Sequence, residues 1–315
     1  MGRKDVRSVE YLSDNVYFAD MFNASCFQGK KVILPQQLED ANKEMKDPET
    51  KKGEEVRHDN VKYWKRGAKL ATLVVEDQHN IDFHMVLRNL YAEGLYYRKQ
   101  WKKKRADHRR AKDLEPGPEF ISGMKKEEKF TPAVYLVVHL GEDKWDGPRT
   151  LYELLDLDGE NEQLKPLIND YKLNIFDYHD YDNFDHFKSE LRVVFEFLRY
   201  SDDADALKKM VAAHPESDYN VSDETYQMIA MLTNSEDLLH NKDACEKDEG
   251  GNQSMCKALQ GIKDEGRIEG RMQEAIETSQ EWGHSREETF AHILKKFSLK
   301  DEDAKAYMQE YWKEA

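Results

Sequence analysis

The stretch "LATLVVEDQHNIDFHMVLRN", residues 70–89, decides how this chain is read. From Leu70 to Val75 it is a β-rich apolar run without polar alternation, the pattern of a strand covered on both faces at the centre of a sheet. Glu76, Asp77 and Gln78 then end it abruptly. From Ile81 onward, Phe83, Val86, Leu87, Leu90, Gly94, Tyr97 and Trp101 recur at spacings of three and four, which predicts a long amphipathic helix over 81–101. A buried strand that stops at two carboxylates and an amide calls for a physical reason.

The residues just upstream supply one. In "DNVKYWKRGAKLATLVVED", Val61, Tyr63 and Trp64 precede Arg66-Gly67 and the apolar run follows, so the segment reads as a β-hairpin turning at Arg66-Gly67. A turn centred there sets Asp59 against Glu76 across the hairpin, and directly opposed residues lie roughly 4.5–5.5 Å apart at Cβ. Glu76 and Gln78, two apart in an extended segment, point to the same face. Two close carboxylates repel unless a cation or proton lies between them. A hard divalent ion bound through oxygen, such as Mg²⁺, is one answer. The other is that Glu76 and Asp77 mark where the strand reaches water.

Around this core, "VEYLSDNVYFADMFNASCF" places Leu12, Val16, Phe18, Phe22 and Phe27 near helical spacing and predicts an opening amphipathic helix. Residues 36–56 carry charge throughout, with Pro48 and Gly53, and read as a solvated excursion. "TPAVYLVVHLG" and "KLNIFDY" are two further strands. From Phe184 the text reads as helix, and Ser285 with Glu288 and Ser298 with Asp301 have capping-box spacing. The expectation is a mixed α/β core over 1–183, with a central mixed sheet flanked by helices, followed by a helical region over 184–315.

With 315 residues, 35% of them charged, the chain has the length for one sizeable core and a second helical region. No apolar run approaches a bilayer-spanning length and no secretory h-region opens the sequence, so the expectation is a cytoplasmic protein without a membrane partner. Cys26, Cys245 and Cys256 form no C-x-x-C pair and are expected to be reduced thiols. The net charge of −15 argues against nonspecific coating of nucleic acid, but the charge is uneven. "RKQWKKKRADHRRAK", residues 98–112, holds nine cationic side chains against one aspartate. This cluster, with Arg98, Lys102, Lys103, Lys104 and Arg105, either tracks a DNA backbone or is a solvated helix end.

His79 and His84 lack a third ligand at zinc spacing and read as ordinary polar residues. "DLDGENE", from Asp156, lacks glycine at the sixth position, which an EF-hand loop needs, and reads as a loop. "GEDKWDGPRTL" reads as a structural turn with Trp145 packed. The helical tail has three open readings: pairing with a second copy of the chain as a homodimer, gripping DNA, or packing within the chain.

An aspartate, a gap, and an apolar strand ending in E-x-K or E-x-Q before a helix is similar to the PD-(D/E)XK nuclease core. More specifically, the chain resembles the recombination-promoting nuclease and transposase family. The resemblance is carried by "YLSDNVYFADMFN", "VVEDQHNIDFHMVLRNLYAEGLYY", "VHLGEDKWDGPRTLYELL", "YKLNIFDY" and the helical tail from "DEGRIEGRMQEA" onward. It spans nearly the whole chain and is weakest over 36–56 and 245–254. It implies a restriction-endonuclease-like core and a Mg²⁺- or Mn²⁺-dependent DNA endonuclease acting in recombination, transposition or phage defence. It further implies that Asp59 and Glu76 bind the metal, that the backbone carbonyl of Asp77 completes the protein ligands, and that Gln78 stands where the superfamily usually has lysine. A neutral amide orients water or phosphate by hydrogen bonding but brings no charge. His58 stands where the motif has proline. Asp14 or Asp20 corresponds to an assisting acid on the opening helix. The alternative is a non-catalytic DNA-binding or interaction protein on a nuclease scaffold.

Overall fold

The computed structural model describes residues 3–41, 44–46, 55–57, 59–64, 68–75, 81–201, 203–235, 238, 247, 250–257, 272–280, 283–297 and 301–312. They divide into two compact units, one of 1–210 with 227–233, the other of 211–226 with 234–315.

The first unit is built on a five-stranded mixed sheet. Its strands are β1 (Leu38–Asp40), β4 (Asn60–Trp64), β5 (Ala68–Val75), β6 (Ala133–His139) and β7 (Asn174–Asp177), in that spatial order. β1 and β4 pair antiparallel, as do β4 and β5, whereas β5–β6 and β6–β7 are parallel. The apolar run at 70–75 therefore lies in the middle strand, as its composition predicts. The charged segment at 36–56 differs from expectation. Its first part forms edge strand β1, and farther on β2 (Glu44–Lys46) pairs antiparallel with β3 (Glu55–Arg57) in a separate two-stranded sheet. Three-residue strands are too short to show a period; pairing decides them.

Helices cover both faces of the sheet. On one side are α1 (Arg3–Tyr11) and α2 (Asn15–Phe27), two helices where the sequence suggested one. The break comes at Asp14, whose carboxylate accepts from Val16 N at 2.7 Å and caps α2. Phe18, Met21 and Phe22 of α2 are fully buried. The helix ends at Gln28 and Gly29, both with positive φ, and a Cβ at Gly29 would meet the His186 backbone at 2.9 Å, so only glycine fits. Asn60 donates to Val9 O on this side, and the buried Lys62 lies over the Phe18 ring and pairs with Asp40.

The other face is covered by α3 (Met85–Ala111), the crossover that parallel pairing of β5 with β6 requires. Val61 and Tyr135 pack there against Ala92 and Tyr96, and Val137 packs against Met85 and Trp145. A five-residue helix, α4 (Pro118–Ser122), follows. Beyond β7, α5 (Leu191–Tyr200) buries Leu191, Val193, Val194, Phe195, Phe197 and Leu198, and residues to 210 group with the sheet.

In the second unit Asn220–Val221 pairs antiparallel with Gln253–Ser254, a short ladder within a stretch that reads as helix. Helices Arg286–Phe297 and Asp301–Tyr311 share a core of Ala275, Ile276, Ile293, Ala304 and Met308. The predicted capping box is formed: Ser285 N donates to Glu288 Oε2 at 2.8 Å and Glu288 N to Ser285 Oγ at 3.2 Å. The Ser298 box lies outside the described residues. Among the described residues no helix is long and apolar enough to cross a membrane.

Candidate active site at the strand ends

Antiparallel pairing puts the start of β4 and the end of β5 at the same end of the hairpin, so Asp59 lies at the end where Glu76 follows Val75 in sequence. The register differs from the one a turn at Arg66-Gly67 implies. Asn60 faces Thr72 and Trp64 faces Ala68. Continued by one residue, this pairing sets Asp59 level with Leu73 rather than with Glu76. Asp59 is half-buried and engaged in an interaction of its own. Glu76, Asp77, Gln78, His58 and His79 lie outside the described residues.

The parallel strands bring more chemistry to the same end. Val75, His139 and Asp177 are level with one another across β5, β6 and β7. His139 is 1% exposed and Asp177 4%. Trp145 N donates to Asp177 Oδ2 at 2.9 Å, and both N and Nδ1 of His179 approach Asp177 Oδ1, at 3.0 and 2.7 Å. Burial opposes ionisation of Asp177, but these hydrogen bonds outweigh it, and the carboxyl lies below the usual carboxylate range. His179 Nε2 reaches Glu142 O at 2.8 Å, and His139 Nε2 reaches Asp143 O at 2.7 Å. A carbonyl only accepts, so each Nε2 carries the proton. His139 Nδ1 is buried without a hydrogen-bond partner. The turn "GEDKWDGPRTL" is structural as read: Trp145 is buried, donates from Nε1 to Gly147 O, and is crowded by Gly147, where a Cβ would strike Ile81.

Sequence reasoning did not single out His139, Asp177 or His179. The signal was present in the form used for Glu76, since "VVHLGED" and "NIFDYH" both end apolar strands in polar residues. Only parallel pairing puts those ends beside each other.

α3 carries the basic cluster. It runs through Ala111, ten residues beyond the predicted end, because Lys, Arg and Ala favour helix. Its cations are not equivalent. Lys104 pairs with Glu128 at 3.0 Å, and Arg105 lies over the Trp101 ring and against Gly123. Lys103 is exposed, and Arg98 and Lys102 are half-buried. Farther along, His108 bridges Asp113 at 2.7 Å and Glu128 at 3.0 Å. These partners raise His108 above its ordinary value. Lys125 and His108 hold Asp113 down to about 2, and Glu128 is likewise held at about 2, chiefly by the Lys125 backbone N–H.

The two assisting-acid candidates have structural posts. Asp14 is the α2 cap. Asp20, 7% exposed, accepts from Lys188 N, Ser189 N and Ser189 Oγ at 3.0 Å or less. His84 is exposed beside Asp82, and residues 156–162 lead into a 3₁₀ helix over Gly159–Leu167.

Comparison with protein-family models, with curated proteins and with solved structures finds no match to this chain.

Proposed function

We propose that the chain is a metal-dependent DNA endonuclease with a PD-(D/E)XK-type core, hydrolysing phosphodiester bonds at the carboxyl end of β5. The observation that carries this reading is topological. A hairpin, β4–β5, is followed by helix α3 and by β6 parallel to β5, and Asp59 precedes β4 at the end of the hairpin where the Glu76-Asp77-Gln78 run follows β5 in sequence. The donor set is all oxygen, which suits a hard ion. Asp59, Glu76 and the carbonyl of Asp77 would hold Mg²⁺ or Mn²⁺. When bound, the ion neutralises phosphate charge and lowers the pKa of a water.

The chain's own groups do the rest. Gln78 holds the attacking water or the scissile phosphate by its amide. The water gives up a proton to solvent as its oxygen bonds to phosphorus, one ester P–O bond breaks, and the departing oxygen takes a proton from solvent. Arg98, Lys102, Lys103, Lys104 and Arg105 draw the DNA backbone electrostatically, with Lys103 the most available to it.

The test is plasmid nicking by the purified full chain with Mg²⁺ or Mn²⁺ and with chelator, beside Glu76→Ala and Asp59→Ala. Expected is metal-dependent cleavage that falls at least about 100-fold in Glu76→Ala, the loss typical when a group stabilising developing charge is removed. The register makes Asp59→Ala the milder variant. Cleavage that survives both substitutions excludes this site. DNA binding without cleavage in the wild type replaces the proposal with that of a non-catalytic DNA-binding protein, a role that Gln78 in place of lysine favours.

A further inference from the structure

We propose that His139, Asp177 and His179 form a site for one divalent transition-metal ion, of which Zn²⁺ has the best-matched ligand chemistry. Its donor set differs from the all-oxygen set of the proposed nuclease centre, and the inference does not depend on that function. Two imidazoles and a carboxylate suit zinc-like ions rather than Mg²⁺. One ligand atom from each residue lies within 4.8 Å of those of the other two. Tetrahedral zinc with bonds of about 2.1 Å spaces its ligands about 3.4 Å apart, so the 2.7 Å pair of His179 Nδ1 and Asp177 Oδ1 would open by about 0.7 Å and no pair would close by more than about 1.4 Å.

Three features set this cluster apart from an ordinary buried polar network. Both histidines donate Nε2–H to backbone carbonyls of consecutive residues, Asp143 and Glu142, at 2.7 and 2.8 Å. Metal-binding imidazoles are held in this way, the outer nitrogen tied to a carbonyl and the inner one left to ligate. His139 Nδ1, made an acceptor by that tautomer, is buried and unpartnered, which an ion would correct. Finally, Trp145 N occupies Asp177 Oδ2, so Oδ1 is the oxygen that faces His179 Nδ1. An ion bound by these two atoms would take the place of their 2.7 Å hydrogen bond. The scaffold is rigid, because His139 and Asp177 face each other on paired parallel strands.

The purified chain stripped with chelator is titrated with Zn²⁺ by calorimetry and with Co²⁺ by visible absorption. Expected are one equivalent of tight binding and a tetrahedral Co²⁺ band. His179→Gln and His139→Gln each weaken binding at least about tenfold and remove the band, since even outer-shell changes cost 10–100-fold. His179 is partly exposed, so its variant keeps the test valid if His139→Gln does not fold, with melting of the metal-free proteins as the check. Absence of stoichiometric uptake overturns the proposal, as does unchanged affinity in His179→Gln.

Discussion

Asp20 shows how an acid on an apolar helix can serve the fold. Its carboxylate gathers two backbone N–H groups and a hydroxyl from Lys188 and Ser189, 168 and 169 residues away, and anchors the approach to α5 against α2. Asp20→Ala leaves those donors without a partner inside the protein and is expected to cost about 2–4 kcal/mol. Asp14→Ala removes only an exposed cap and should cost about 1 kcal/mol. Urea midpoints of the two variants check the order; a smaller loss at Asp20 would rule out the anchor. Cys26 is half-buried, and burial pushes its thiol up to about 11, so it should react with a thiol reagent more slowly than a free thiol does at neutral pH.

At the scale of elements, the end of α3 and the segment after it are tied by charge. Lys104, His108, Asp113, Lys125 and Glu128 form one network over the turn. The sign of its pH dependence follows from the shifts. Asp113 and Glu128, lowered from 3.8 and 4.5, contribute fully above those values and lose their contribution as pH falls toward about 2. His108, raised from 6.5, contributes fully below that value and loses it as pH rises through the higher folded value. The network is therefore strongest between about pH 4.5 and 6.5. Amide exchange of residues 113–128, corrected for intrinsic rates, should be slowest in that window and rise on both sides. His108→Gln should remove only the alkaline rise. An exchange profile flat in pH would show that the contacts bear little load. The hairpin register belongs at this scale as well: the pairing of Asn60 with Thr72, continued by one residue, sets Asp59 level with Leu73 and not with Glu76.

For the whole molecule, net charge and local charge pull in different directions. A chain of net charge −15 should repel DNA at long range, while nine cations along residues 98–112 attract it at close range. Affinity should therefore fall steeply with salt. Neutralising Lys102, Lys103 and Arg105 together should flatten the slope of log K against log salt by about 1–3, given about 0.9 per phosphate contact. Lys104→Gln alone should change it least, because that ammonium already neutralises Glu128. Fluorescence anisotropy across a salt series measures both, and an unchanged slope in the triple variant moves the DNA contact off α3.

What the sequence determined by itself is what short-range physics encodes. The central strand at 70–75, the strands at 133–139 and 174–177, the long helix after residue 81 and the capping box at Ser285 all follow from apolar periodicity or from neighbours within four residues. Tertiary structure decided the rest, because it turns on partners far apart in sequence. Pairing with β4 made a strand of Leu38–Asp40 within a charged segment. Lys188 and Ser189 made an anchor of Asp20. The parallel register of β6 and β7 brought His139 and Asp177 face to face, 38 positions apart along the chain, and no local pattern records such a meeting.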